Sequence, residues 1–114
     1  MFDKAQWMRG NLEACLLKMI EKEDVYGYVI VEKLKEFGFE SISEGSIYPI
    51  LLRLEKQKYI HSYYINSELG PKRKYYHITQ LGKDYLIEFY DFYKHWSIAL
   101  KELFEEEFQH EKIL

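Results

Sequence analysis

Cysteine is almost missing from this chain: Cys15 is the only one in 114 residues. With apolar neighbours on both sides it excludes a disulfide scaffold and fits a reducing cytosol. No stretch approaches the roughly 20 apolar residues of a membrane span. The N-terminus lacks the basic-then-apolar layout of a signal peptide. A cytoplasmic protein with no membrane partner is therefore expected. There is no glycine-rich phosphate loop, and His61, His77, His95 and His110 are scattered without metal-ligand spacing. His95 and Asp91 lie one turn apart on the polar side of a helix, where a solvated pair is expected. Catalysis, a cofactor and a bound metal all lack support, so a non-enzymatic role is expected. No linker, low-complexity run or internal repeat is visible.

What is present fits one small domain, of a size that often gains stability from oligomerisation. The net charge is −3, but it is unevenly spread. Residues 1–43 carry 6 basic and 8 acidic side chains, residues 44–82 carry 6 and 3, and residues 83–114 carry 4 and 8. The excess positive charge thus sits in the middle of the chain, where contacts to phosphate would need it.

From about Gly10 to Lys22, the spacing of Leu12, Cys15, Leu16, Met19 and Ile20 predicts a first helix. A second helix, capped by Asp24, runs to about Phe37 and buries Tyr26, Ile30, Leu34 and Phe37, with Gly38 as its left-handed stop. Ser41 to Ser43 read as a short extended piece, a minimal first strand. The third helix has Ile47, Ile50, Leu51 and Leu54 on its inner side. Either Ser43 or Ser46 caps it, Pro49 fitting most easily if Ser46 does. Tyr63, Tyr64 and Ile65 then alternate, the chain turns through Asn66 to Pro71, and Arg73, Tyr75 and His77 alternate with Lys74, Tyr76 and Ile78. That is a hairpin, with Tyr75 and Tyr76 as sheet packing. A helix followed by a hairpin bearing Lys72, Arg73 and Lys74 is the outline of a winged helix, which suits a duplex.

Thr79 caps a last helix that reaches to Phe108, about 45 Å at 1.5 Å per residue. Tyr85, Phe89, Phe92, Trp96, Ala99 and Leu103 follow a 4-3-4-3-4 spacing, the seam of a helix packed on another helix. Leu86, Tyr90, Tyr93, Leu100 and Phe104 form a second seam beside it. A domain this small cannot cover so wide an aromatic face, and a second copy of the chain is the simplest cover. The expected fold is mainly α with a small β-hairpin: a winged helix-turn-helix domain over residues 1–79, then a C-terminal dimerisation helix over 80–114.

The segments Asn11–Ile20 (NLEACLLKMI), Tyr26–Tyr28 (YGY), Gly45–Glu55 (GSIYPILLRLE) and Gly70–Gly82 (GPKRKYYHITQLG) occur in an order that resembles the PadR-type transcriptional regulators. The chain is similar to the short subgroup, which ends in a single dimerisation helix. The resemblance implies a dimeric, usually repressing, DNA-binding protein; with two reading helices related by two-fold symmetry, a pseudo-palindromic operator with half-sites about 34 Å apart is expected. The rival reading is a winged-helix module that binds proteins and not DNA.

On this reading Ser46 binds phosphate, caps the helix, or does both, and Pro49 lies beside it at the start of the reading helix. Tyr48, sideways on that helix, hydrogen-bonds a phosphate or a base edge, or packs against the wing. Arg53 and Lys56 contact the backbone or are merely solvated. Of Lys72, Arg73 and Lys74 on the wing, strand alternation sends the last two to opposite faces, so that only one of them points at DNA. Dimerisation falls to Tyr85, Phe89, Phe92, Trp96, Ala99, Leu100 and Leu103. Some members of the family hold flat aromatic compounds between the first and last helices. By that resemblance Phe89, Tyr93 and Trp96, with Trp7 as a third wall, either stack on a small aromatic effector or fill the dimer core.

Overall fold

The structure, a computed structural model, describes residues 1–38 and 43–113; the side chains of Glu44 and of residues 107–113 fall outside that description. The order of elements is α1 (Lys4–Lys22), β1 (Val25–Tyr26), α2 (Gly27–Glu36), α3 (Glu44–Lys56), β2 (Ile60–Ser67), β3 (Gly70–Ile78) and α4 (Gln80–Ile113). The strands form one antiparallel sheet in the order β1-β3-β2. Helices α1, α2 and α3 pack into a core with the sheet at one side. This is the winged helix-turn-helix arrangement followed by a long terminal helix.

The core is built from the inner faces that the apolar spacing marks out. Leu16, Leu17 and Ile20 of α1, Ile30 and Leu34 of α2, Ile47, Leu51 and Leu54 of α3, and Ile60 of β2 are all less than 2% exposed. Each such side chain contributes on the order of 1.5–3 kcal/mol when withdrawn from water. Cys15, Met19 and Ile50 pack against this core but are only partly buried, and burial pushes the Cys15 thiol up.

Several boundaries differ from those the sequence suggests. Helix α1 begins at Lys4, because the Asp3 carboxylate accepts a hydrogen bond from the Gln6 N–H at 3.1 Å. Its first turns bury nothing, so they leave no apolar period to read. Asp24 does not cap α2. Tyr26 is the residue before that helix, and Asp24 instead accepts hydrogen bonds from the Tyr63 hydroxyl at 2.5 Å and from His77 Nδ1 at 2.7 Å. The first strand is Val25–Tyr26, paired with Tyr76 and Tyr75 of β3. Residues 41 and 42 of the piece read as a strand lie outside the described residues, and Ser43 is the cap of α3. Tyr26 is half-buried and Phe37 is 68% exposed, so neither joins the core. Gly38 does take the left-handed conformation, at φ 93°.

Pro49 lies inside α3, beyond its first turn. It leaves the Gly45 carbonyl without its usual i+4 donor, a cost that the buried Ile47, Leu51 and Leu54 offset. The hairpin turn is tighter than Asn66 to Pro71: Ser67 pairs with Gly70 across Glu68 and Leu69, with an irregularity between Ile65 and Ser67. At the foot of the wing, Thr79 caps α4 as expected, its hydroxyl oxygen accepting from the Gly82 N–H at 3.1 Å. The same hydroxyl lies 2.7 Å from the Lys58 carbonyl and 3.0 Å from the Tyr59 carbonyl. Helix α4 runs past Phe108 to Ile113, and the molecule measures 71 Å along its longest axis.

Candidate nucleic-acid interface

Helix α3 is held in rotation by Ile47, Leu51 and Leu54, none more than 1% exposed. At about 100° per residue this turns Gly45, Pro49, Leu52 and Lys56 outward, Tyr48 toward the wing and Ser46 and Arg53 toward α1. Ser46, Tyr48, Pro49, Leu52 and Lys56 are exposed accordingly. The Ser46 hydroxyl is 3.3 Å from that of Ser43, so both serines crowd the start of the helix.

Tyr48 is fixed on its wing side by the start of α2. A Cβ placed on Gly27 would fall 2.7 Å from Cε1 of Tyr48 and 3.0 Å from its hydroxyl. The glycine of the Tyr26–Tyr28 triplet is thus the floor on which the Tyr48 ring lies. Tyr48, Leu52, Lys74 and Tyr76 line a concavity of about 330 Å³ between α3 and β3. Burial beside Glu55 pushes the Tyr76 phenol up to about 12.

The basic residues divide by what already holds them. Arg53 bridges to Glu13 of α1, so it ties two helices together. Lys74 sits 3.3 Å from Oε2 of Glu55, whose Oε1 accepts from the Ser62 hydroxyl at 3.0 Å. That carboxylate, oriented by β2 and β3, locks the wing to α3. Arg73 is on the opposite face of the sheet, its guanidinium 5.0 Å from the centre of the Tyr26 ring. Strand alternation does therefore part Arg73 from Lys74, and the one facing α3 is already paired. Lys72 and Lys56 are exposed. Tyr75 stacks on Tyr63 with centroids 5.8 Å apart and lies tilted against Tyr26 at 5.5 Å, so it is sheet packing as expected.

On the outer face of the sheet, Asp24 joins the α1–β1 connection to both wing strands. Loss of water around its carboxyl acts to raise it. The hydrogen bonds from Tyr63 and His77, with the nearby His77 and His61, outweigh that and hold it below the usual carboxylate value. The bond to Asp24 in turn raises the Tyr63 phenol.

The aromatic helix separates into two parts. Leu86 is buried, Tyr85 and Phe89 pack against the chain's own core, and the Tyr85 ring is 5.0 Å from that of Tyr59. Burial raises the Tyr85 phenol. Tyr85 and Phe89 are thus committed within the chain, whereas Phe92, Trp96, Ala99, Leu100 and Leu103 are exposed. Phe92 stacks on Trp96 at 6.3 Å and Phe89 on Tyr93 at 6.4 Å. A groove of about 830 Å³ runs between α1, the end of α2 and α4; Phe89 lines it, but Trp7, Tyr93 and Trp96 do not. His95 lies on the exposed side of α4, its Nδ1 2.8 Å from the Asp91 carbonyl oxygen.

Two residues that shape this surface are missed by sequence reasoning. Glu13 pairs with Arg53 from 40 positions away, a separation at which no helical spacing applies. Leu52 breaks the inward pattern of its helix, and that mismatch is itself the signal that marks it.

Residues 16–88 match the transcriptional regulator PadR-like family. The fold is similar to that of a PadR-like transcriptional regulator from Bacillus cereus, with 47% identity, 88% of this chain and 97% of that chain covered, and a TM-score of 0.79. It is similar also to a PadR family transcription regulator from Clostridium difficile, with 32% identity, 82% and 98% coverage and a TM-score of 0.76. A third similar structure is Bacillus subtilis PadR in complex with operator DNA, with 26% identity, 68% of this chain and 45% of that chain covered, and a TM-score of 0.62.

Proposed function

Since this chain belongs to the PadR-like family of transcriptional regulators, and is a regulator and not an enzyme, we propose that it is a cytoplasmic homodimer that represses by binding a pseudo-palindromic operator. The observation that carries this reading is the outer face of α3. It is exposed along Ser46, Tyr48, Pro49, Leu52 and Lys56, and it stands beside a wing carrying the exposed Lys72. A helix of this kind enters the major groove, with basic wing residues along the backbone. The operator complex of the similar Bacillus subtilis PadR supports the same use of the fold.

Dimerisation supplies the two-fold symmetry that a palindrome mirrors. The apolar face of α4 supports it: Phe92 is 67%, Trp96 54% and Leu103 63% exposed in the single chain. A small aromatic compound held beside Tyr93 and Trp96 between the first and last helices, with Phe89 and Trp7 as further walls, releases the operator by binding the two dimer states unequally. Among the described residues no helix is long and apolar enough to cross a membrane.

The test is a fluorescence-anisotropy titration of the chain's own upstream DNA and of an unrelated duplex, at two salt concentrations. Binding at least about 10³-fold tighter to the upstream piece is expected. Failure to bind any duplex, including those offered by a random library, overturns the reading in favour of a protein-binding module.

A further inference from the structure

Base edges in the major groove are read by a short menu of side chains. Arg and Lys pair with guanine, Asn and Gln with adenine, Asp and Glu accept from cytosine, and apolar groups touch the thymine methyl. Helix α3 has no Asn, Gln, His or Thr in its sequence EGSIYPILLRLEK. Its one arginine, Arg53, is bridged to Glu13, and Glu55 is held by Ser62 and Lys74. Along the described outward face Lys56, in the last turn, is a point donor with no fork, and a leucine lies near the middle.

Leu52 is 53% exposed, one turn after Tyr48, which is 45% exposed. Tyr48 lies on the side of α3 that faces the wing and Leu52 between that side and the outward face, and both line the concavity whose other walls include Tyr76 and Lys74. Gly27 fixes the Tyr48 ring from below, so the seat between ring and leucine exists before any ligand arrives. It is apolar, shallow and open outward.

We propose that Leu52 is a specificity residue, and that with Tyr48 it seats the C5-methyl group of a thymine in the major groove. The inference rests on the operator-binding reading above and adds to it the base chemistry that α3 selects. A thymine methyl is the apolar group a duplex presents at base edges in that groove. Withdrawing one methyl-sized group from water contributes enough to change binding about 4-fold. Seating it between a fixed ring and a leucine selects thymine over cytosine at that position, and over uracil, which differs from thymine only by the methyl.

The experiment selects the preferred duplex from a random library with the full chain. It then replaces each thymine of that duplex, one at a time, with deoxyuridine. Anisotropy titrations of the wild type, Leu52→Ala and Leu52→Met follow. In the wild type, one or two symmetry-related thymines should lose about 3- to 5-fold in affinity when the methyl is removed. Leu52→Ala should bind the thymine duplex more weakly and be indifferent to the methyl there, while Leu52→Met keeps the sensitivity. A duplex that is selected but shows no methyl effect, or the same methyl profile with Leu52→Ala, overturns this inference and leaves the operator reading standing. Enrichment of no duplex at all overturns both.

Discussion

Tyr48 rests on Gly27: a Cβ at the glycine would meet Cε1 of the tyrosine at 2.7 Å, while the ring itself remains 45% exposed on the outer side. The contact joins the first residue of α2 to the helix proposed to enter the major groove, and it sets where the phenol points. Gly27→Ala displaces the free end of a side chain and no backbone. Its expected cost to stability is small, about 1 kcal/mol or less, while operator affinity falls about 10-fold or more as Tyr48 is pushed aside. Gly82→Ala should behave in the opposite way, since its Cβ would lie 2.3 Å from the Tyr59 carbonyl oxygen. Backbone must move there, and a loss of about 2–3 kcal/mol is expected. Thermal unfolding and anisotropy on both variants separate the two effects. Equal affinity of Gly27→Ala and wild type would remove Tyr48 from the interface.

The helical core was legible because Leu16, Ile20, Ile30, Leu34, Ile47, Leu51 and Leu54 repeat at helical spacing and are all buried. Thr79 and Gly38 were legible because capping and left-handed stops use few residue types. The start of α1 was not, since its first turns bury nothing, and β1 was not, since two residues cannot show an alternation. Asp24 was misread as a cap for a reason of the same kind. An aspartate before a helical run satisfies the local rule, but Tyr63 and His77, 39 and 53 positions away, claim its carboxylate. The proposed interface was visible as a list of basic residues. Which of them are already engaged depended on Glu13 and Glu55, partners that only the fold brings near.

Those partners change what the basic residues are expected to do in salt. Lys72 is exposed on the wing, and Lys72→Ala should weaken binding to all duplexes alike and reduce the slope of log K against log salt by about 1. Arg53→Ala breaks a partly exposed bridge to Glu13, whose contribution to stability is within about 1 kcal/mol. It should leave the salt slope unchanged. Titrations at four or five salt concentrations read both slopes. A drop of about 1 for Arg53→Ala would mean that the guanidinium leaves Glu13 for a phosphate.

Acid should loosen the wing through Asp24. Its carboxyl lies below the ordinary value of 3.8 in the folded chain, so in that range the unfolded chain binds more protons. The stability it supplies is then fully present above about pH 4 and is lost as pH falls through the folded value. Asp24→Asn should lower the melting temperature at pH 7, and the gap to wild type should narrow as pH falls from about 4 toward 2. Melting curves followed by circular dichroism across that range check it. A gap that stays constant down to pH 2 would show that the charge of Asp24 plays no part.

The dimer should hinge on the outer half of α4 and not on its root. Tyr85 and Phe89 are held by the chain's own core, so a glutamate at either one threatens the fold itself. Phe92 and Trp96, stacked at 6.3 Å and well exposed, contribute nothing to that core. Phe92→Glu combined with Trp96→Glu should therefore give a folded monomer with a nearly unchanged far-ultraviolet spectrum. Losing the second half-site contact should cost that monomer about 10²-fold or more in operator affinity, since binding to paired half-sites draws on the effective concentration that linkage provides. Sedimentation velocity on the double variant decides the point. A species that still sediments as a dimer would place the interface on another face, and a monomer that keeps full affinity would mean that one reading helix is enough.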